Sequence, residues 1–168
     1  MNKYSSFFLV LLLVGCANYG QLTLITKLPE KLKENSGMVT YAAGSAWFIE
    51  DNGNSDNLYK TNFKGEIIKH LDVKNAKNGD WEDLTKDKEG NIYIGDFGNN
   101  DNIRKNLSIL KLPNPDIEKG DKINAKTIKF NYPEQKEFPP RRSALLYDAE
   151  AFLHFKKHLY IFTKNRAD

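Results

Sequence analysis

The feature that most constrains this fold is a pattern that occurs three times along the chain. Each copy has a polar start, a short apolar strand, a polar turn and a second strand built around one large aromatic residue. The aromatic residues are Trp47, Tyr93 and Tyr160, spaced by 46 and then by 67 residues. Repetition at roughly 20–50 residues is typical of proteins in which each unit packs only against its neighbours. The chain is therefore predicted to fold as a series of similar units.

The positions around each aromatic residue also correspond. Ten residues before it stand Gly37, Asp83 and Glu150. Three residues after it stand Glu50, Asp96 and Thr163. A loop rich in Gly and Asn follows the first two copies, with the sequences DNGNSDN and FGNNDN. We expect the three segments to fold alike, with their aromatic residues in the core between units.

Further strand-like segments lie before and after these copies. An apolar and β-branched strand is predicted at residues 21–28 and ends at Pro29. A third and a fourth strand are predicted at residues 58–61 and 66–72, and again at 107–112 and 126–132. No segment shows a sustained apolar period of about 3.6 residues over a helical length. The chain is therefore predicted to be all-β.

Four antiparallel strands in units of roughly 40–50 residues are typical of β-propeller blades. We predict a β-propeller of four-stranded antiparallel blades within one domain at residues 21–168, with blades at 36–72, 82–132 and an incomplete one at 148–168. Closed propellers have typically about 4–8 blades, so about two and a half blades make an incomplete ring. We therefore expect the chain to be part of a longer protein, in which the strand at 21–28 would be the outer strand of the last blade. The alternative is a small, complete β-sandwich.

The N-terminus has the pattern of an export signal. Lys3 precedes an apolar run of eight residues at 7–14, too short to span a hydrocarbon core of ~30 Å as a helix. Gly15 and Cys16 then resemble the lipobox of bacterial lipoproteins, which predicts a signal peptide at residues 1–16 and a lipid anchor on Cys16. The alternative is ordinary signal cleavage, with the mature chain starting at Asn18. Cys16 is the single cysteine, which excludes an internal disulfide and a cysteine-based zinc cluster.

Two stretches carry a resemblance to a known group of proteins. They are DWEDLTKDKEGNIYIGDFGNN, followed by Arg104, and YDAEAFLHFKKHLYIFTKNR. These stretches resemble exported bacterial six-bladed β-propellers of the phytase-like and NHL-like kind, over about residues 34–166. The resemblance implies a cell-envelope lipoprotein whose propeller presents a binding rim to a protein, a glycan or a small ligand. The alternative that it implies is a calcium-dependent phosphoesterase of the same fold.

Polar residues at the ends of the paired strands are the candidates for that rim. In an antiparallel pair, one strand starts where its neighbour ends, so these residues should lie at one end of the sheets. The candidates are Glu82, Asp83, Asp96, Asn99, Asn100, Arg104, Asp148, Glu150, Lys164 and Arg166. A calcium site is predicted at Glu82, Asp96 and Glu150, because Ca²⁺ takes about six to eight oxygen ligands. The alternative is that these groups cap turns and bond to the backbone of the next unit.

Composition and motifs exclude several other functions. The net charge is +3 and the basic residues are scattered, so no nucleic-acid partner is expected. The sequence has no G-x-S-x-G elbow and no phosphate-binding loop. An EF-hand is excluded because Asn57 and Phe63 stand where that loop needs Gly and Glu. The predicted partner is a membrane, reached through Cys16, and the predicted location is the cell envelope, as an outer-membrane lipoprotein or else as a periplasmic or secreted soluble protein.

Overall fold

The computed structural model describes residues 22–167, and within them the chain is all-β, as predicted. The strands are β1 (Asn35–Val39), β2 (Ser45–Glu50), β3 (Asn57–Asn62), β4 (Ile67–Lys74), β5 (Trp81–Lys86), β6 (Ile92–Asp96), β7 (Ser108–Leu112), β8 (Lys122–Asn124), β9 (Lys126–Lys129), β10 (Asp148–Phe155) and β11 (His158–Lys164). The helical elements of this part are two short 3₁₀ turns, Glu30–Leu32 and Arg142–Ala144. The predicted alternation of short strands with polar turns is confirmed.

The strands form three sheets, which we call sheets A, B and C. Sheet A has the order β1-β2-β3-β4-β8, sheet B has β5-β6-β7-β9, and sheet C is the pair β10-β11. All neighbouring strands are antiparallel except β4 and β8, which are parallel. None of the sheets closes on itself. The first two units therefore each contain the four antiparallel strands that the sequence predicts.

Two segments differ from the predictions. Residues 22–28 form no strand, although their pattern predicts one. They pass beside the turn between β3 and β4, where a Cβ on Gly65 would overlap with the carbonyl of Lys27. Leu28 packs with Leu32 on the outer face of sheet A. A strand needs a neighbour for its backbone groups, and no described strand provides one here.

Strand β8 was not predicted, because its residues lie in a charged stretch that reads as a loop. It is only three residues long and pairs with the edge strand β4, from Asp72 opposite Lys122 to Lys74 opposite Asn124. Such a short strand exists because of its partner, which the local sequence does not reveal.

A shared β-bulge relates the three sheets to one another. In each of the pairs β1-β2, β5-β6 and β10-β11, one residue near the start of the first strand is skipped in the register, after the first pair in sheets A and B and after the second pair in sheet C. The skipped residues are Ser36, Glu82 and Glu150. Glu150 therefore corresponds to Glu82, whereas the sequence comparison placed it with Asp83. The difference of one residue arises in the two-residue turn Lys156–Lys157, where both residues have positive φ (48° and 69°).

The sheets pack side by side, with their first strands in contact. A Cβ on Gly37 of β1 would lie 2.5 Å from the backbone nitrogen of Leu84 in β5. On the other side of β5, the Phe152 N–H donates to the Asp83 carboxylate over 2.9 Å. Because no side chain separates Gly37 from β5, strands β1 and β5 approach almost backbone to backbone. The first strands of the three sheets thus form a row, β1-β5-β10.

Two apolar cores fill the spaces between neighbouring sheets. The core between sheets A and B contains Trp47, Ile49, Leu71, Trp81, Ile92 and Leu112, among others. The core between sheets B and C contains Tyr93, Phe97, Leu107, Ile109, Ala149 and Phe152. The prediction that the repeated aromatic residue is buried is confirmed for Trp47 and Tyr93. It is wrong for Tyr160, which is 46% exposed because none of the described residues covers the outer face of sheet C.

Candidate functional site

The strand ends bring the acidic side chains to one end of the three sheets, which we call the acidic rim. Asp80 precedes β5 and Glu82 lies within it, while Asp51 follows β2. Asp96 ends β6, and Asp148 begins β10. These positions meet because each first strand begins beside the end of its partner strand. The rim contains two kinds of carboxylate, those already paired and those that are not.

The paired carboxylates between sheets B and C hold these sheets together. Asp148 is fully buried, and it accepts hydrogen bonds from the Asn99 N–H (2.7 Å) and from Arg166 Nε (2.6 Å). Arg166 also donates to Glu150 Oε1 (2.6 Å) and to the side chain of Asn100. Asn99 completes the link by donating to the Tyr147 carbonyl over 3.1 Å. Charge-assisted bonds of this kind are the stronger ones in proteins, so these candidates have a structural role.

Asp96 is paired in a similar way within sheet B. Its Oδ1 accepts from Arg104 Nη2 (2.9 Å) and from the Asp80 N–H (3.0 Å). Arg104 in turn donates to the carbonyl of Gly98 over 2.8 Å. The corresponding acid of sheet A, Glu50, is buried and is paired with Lys31 at 2.7 Å. The acid that recurs in the repeat therefore forms an ion pair in both sheets.

The two remaining candidates are Asp83 and Lys164. Burial raises the pKa of Asp83, against the opposing effect of hydrogen bonds from the N–H groups of Phe152 and Leu84. Asp83 therefore connects β5 to β10. Lys164 is exposed at the end of β11, opposite Asp148 in the register.

The unpaired carboxylates are those of Asp51, Asp80 and Glu82, which we call the acidic cluster. One oxygen atom from each lies within 4.8 Å of the other two. Burial and the neighbouring carboxylates, Asp51 first among them, raise the pKa of Glu82 to about 8 and that of Asp80 to about 6. Among residues 22–167, no group donates a hydrogen bond to the side chain of Asp80 or Glu82. The charge of Arg104 opposes the rise in the pKa of Asp80, whereas the charges that act on Glu82 are all carboxylates, so the protein compensates the repulsion within this cluster only in part.

Gly98 allows the acidic cluster to form. A Cβ at this position would overlap with Glu82 Oε1 and with the carboxyl group of Asp80. The loop after β6 can therefore pass directly over the two carboxylates only because residue 98 has no side chain. Oxygen ligands without nitrogen or sulfur suit a hard cation such as Ca²⁺.

The structure does not bring the predicted calcium ligands Glu82, Asp96 and Glu150 together into one unpaired group. Glu82 lies in the acidic cluster, while the other two are paired with arginines. Asp80 was missed as a candidate, and Asp51 was not among the predicted calcium ligands. The proximity of Asp51 to Asp80 and Glu82 depends on how sheet A packs against sheet B.

Residues 1–21, which include the predicted lipidation site Cys16, lie outside the described part of the chain. Within residues 22–167, no helix has the length and apolar character needed to cross a bilayer. In comparisons with protein-family models, curated proteins and solved structures, nothing matches this chain. Function is therefore inferred from the rim side chains and from the arrangement of the sheets.

Proposed function

We propose that this chain forms consecutive blades of a β-propeller and that its acidic rim binds a ligand through a cation. Two observations support the propeller. The three sheets share the same bulge, and their first strands lie side by side, as strands around a central axis would. A further sheet would cover the outer face of sheet C, where Leu153, Tyr160 and Phe162 are exposed. Exposed apolar patches of this kind mark sites of contact.

The proposed setting of this binding module is the cell envelope. The apolar run at residues 7–14 and the Gly15–Cys16 pair support export followed by lipidation of Cys16. In this proposal the lipid holds the protein at a membrane, while the propeller presents its rim to a protein, a glycan or a small ligand. The alternative location is a soluble periplasmic or secreted one.

The observation that carries the proposed ligand site is the acidic cluster. Three carboxylates that form no ion pair within residues 22–167 favour a bound cation, and Ca²⁺ would also accept backbone carbonyls and waters as further ligands. Near neutral pH, bound Ca²⁺ would replace the proton that Glu82 otherwise retains, because metal ligation needs the ionised form. In this proposal, the cation then bridges the rim to anionic or hydroxyl groups of the ligand.

Calorimetric titration of the full chain with CaCl₂ at pH 7.5 tests the proposal. We expect saturable binding by the wild type, and at least about tenfold weaker binding by Glu82→Gln, which removes one charged ligand. Gly98→Ala should weaken binding as well, because its methyl group displaces two carboxylates without changing the charge. Glu134→Gln, at an exposed site outside the acidic cluster, is the matched control. Absence of Ca²⁺ binding by the wild type would contradict the proposal.

A phytase-like, calcium-dependent phosphoesterase is the alternative function. It needs cationic side chains beside the calcium ions to hold a phosphate. Arg104 and Arg166 lie on this rim, but they are already paired with Asp96, Asp148 and Glu150. We therefore favour binding over catalysis. Calcium-dependent turnover of a phosphomonoester, lost in Glu82→Gln, would reverse that preference.

A further inference from the structure

A second site lies at the opposite end of the sheets from the acidic rim. Here the β5–β6 turn and the β10–β11 turn enclose an open cavity of about 800 Å³. Part of its wall is aromatic, since Tyr93 and His154 stack on each other with ring centroids 5.6 Å apart and Phe155 lies beside them. We call this space the lysine cavity, because five lysines line it: Lys86, Lys88, Lys111, Lys156 and Lys157.

Two of these lysines have an acidic partner. Lys111 Nζ lies 3.7 Å from Asp87, and Lys88 Nζ lies 3.7 Å from Glu89. Asp87 and Glu89 are the two acidic residues that line the cavity. Among the described residues, no carboxylate forms an ion pair with Lys86, Lys156 or Lys157. The cavity therefore has an excess of three positive charges.

Buried polar groups fix the positions of several side chains that line the lysine cavity. Asp87 is 6% exposed and accepts hydrogen bonds from the backbone of Asn91 (2.8 Å) and from the hydroxyl of Tyr93 (3.1 Å). Lys111 lies over the ring of Tyr93, 5.2 Å from its centroid. The wall of the cavity is therefore a connected network rather than a set of independent surface side chains.

The unpaired lysines are positioned by the backbone and by neutral groups. Lys156 and Lys157 form the tip of a two-residue hairpin turn, which projects both side chains from one short segment. Lys86 donates to the carbonyl of Thr40 and lies over the ring of Tyr41, at 4.8 Å from its centroid. None of these contacts neutralises a charge. An anion entering the cavity would therefore gain attraction without displacing an existing ion pair.

We propose that the lysine cavity binds a small phosphate-bearing anion. Lysines act as point charges and suit the several charged oxygens of a phosphate group, whereas planar recognition of a carboxylate favours arginine, which is absent from this wall. The aromatic wall would contact the carbon part of an organic phosphate. This site uses the far ends of β5 and β10 and does not depend on calcium at the acidic rim.

Titration calorimetry of the full chain with inorganic tripolyphosphate, in buffer without divalent cations, tests this inference. The key variant is the double substitution Lys156→Asn with Lys157→Gly. Asn and Gly tolerate positive φ better than Lys does, so the variant removes two charges while favouring the same turn. An unchanged or raised Tm will show that the turn is retained. Lys119→Gln, at an exposed loop position, is the charge control.

We expect saturable binding of tripolyphosphate by the wild type and at least about tenfold weaker binding by the double variant. Lys119→Gln should bind within about twofold of the wild type. The inference is overturned by absence of saturable binding, by equal affinities of the double variant and the wild type, or by an equal loss in the Lys119 control. Citrate binding as tightly as tripolyphosphate would refute the assignment to phosphate.

Discussion

Glu82→Gln should change how the stability of the protein depends on pH. The native pKa of Glu82 is about 8, above its ordinary value of 4.5, because of burial and of repulsion from Asp51 and Asp80. Between these two pH values the native protein holds a proton that the unfolded chain releases. The free energy of unfolding therefore falls as the pH rises from about 4.5 to about 8. Glutamine stays neutral, so the free energy of unfolding of the variant lacks this dependence on pH.

The size of the effect follows from the same pKa difference. Each tenfold change in proton affinity corresponds to about 1.4 kcal/mol, so a fully buried group with this difference would contribute about 5 kcal/mol. Glu82 is only half-buried, and solvent screens its interactions. As the pH rises from 4.5 to 8.5, we therefore expect the free energy of unfolding of Glu82→Gln to increase by about 2 kcal/mol relative to that of the wild type.

Urea unfolding in the presence of a chelator measures this difference, because bound metal would offset the repulsion. The full chain and Glu82→Gln are compared at half-unit pH intervals, with Glu134→Gln as the control for removing an exposed carboxylate. The control should follow the wild type at every pH. If plots of the free energy of unfolding against pH stay parallel within about 0.5 kcal/mol for the wild type and Glu82→Gln, the native state does not destabilise the Glu82 carboxylate. That result would refute the raised pKa of Glu82.

Three further changes test other parts of the structure. Asp148→Asn should lower the free energy of unfolding by about 2–3 kcal/mol, because it removes a buried charge paired with Arg166; a loss below about 0.5 kcal/mol in urea unfolding would contradict this role. Gly37→Ala should cost about 1–3 kcal/mol, since its Cβ meets the backbone of β5, whereas the Cβ of Gly120→Ala would make only ordinary van der Waals contacts, so that variant should be neutral by thermal unfolding. Equal Tm values for the two glycine variants would argue against close contact of β1 and β5. Cys16→Ala should move the protein from the membrane fraction to the soluble fraction, and unchanged membrane retention would speak against the lipid anchor.

Local sequence patterns predicted most strands of this fold, because strand formation depends on alternation and on turn residues. The turn after β3 has Gly65 at a φ of 82°, and the turn after β5 has Gly90 at 86°. Few other residues adopt such angles easily, so these glycines indicate where the chain reverses. The repeated aromatic residue also identified corresponding strands, and the shared bulge supports that comparison for Trp47 and Tyr93.

The candidate site could be predicted only in part. The sequence indicated which strand ends contain acids, and it named Glu82. It did not distinguish Glu82 from Asp96 and Asp148, which are chemically similar but are paired with arginines in the structure. An ion pair between distant residues depends on the packing of whole sheets, which the local sequence does not encode.

The sequence by itself determined the all-β class, the position of most strands and the correspondence of three strand pairs. The tertiary structure decided which strand-like segments find a partner, so residues 22–28 remain unpaired while the short strand β8 forms. It also decided which charges are neutralised, leaving the acidic cluster at one end of the sheets and three unpaired lysines at the other. The physical reason is that strand propensity and turn geometry are local properties, whereas a backbone hydrogen bond between strands and the neutralisation of a charge each require a partner brought by packing.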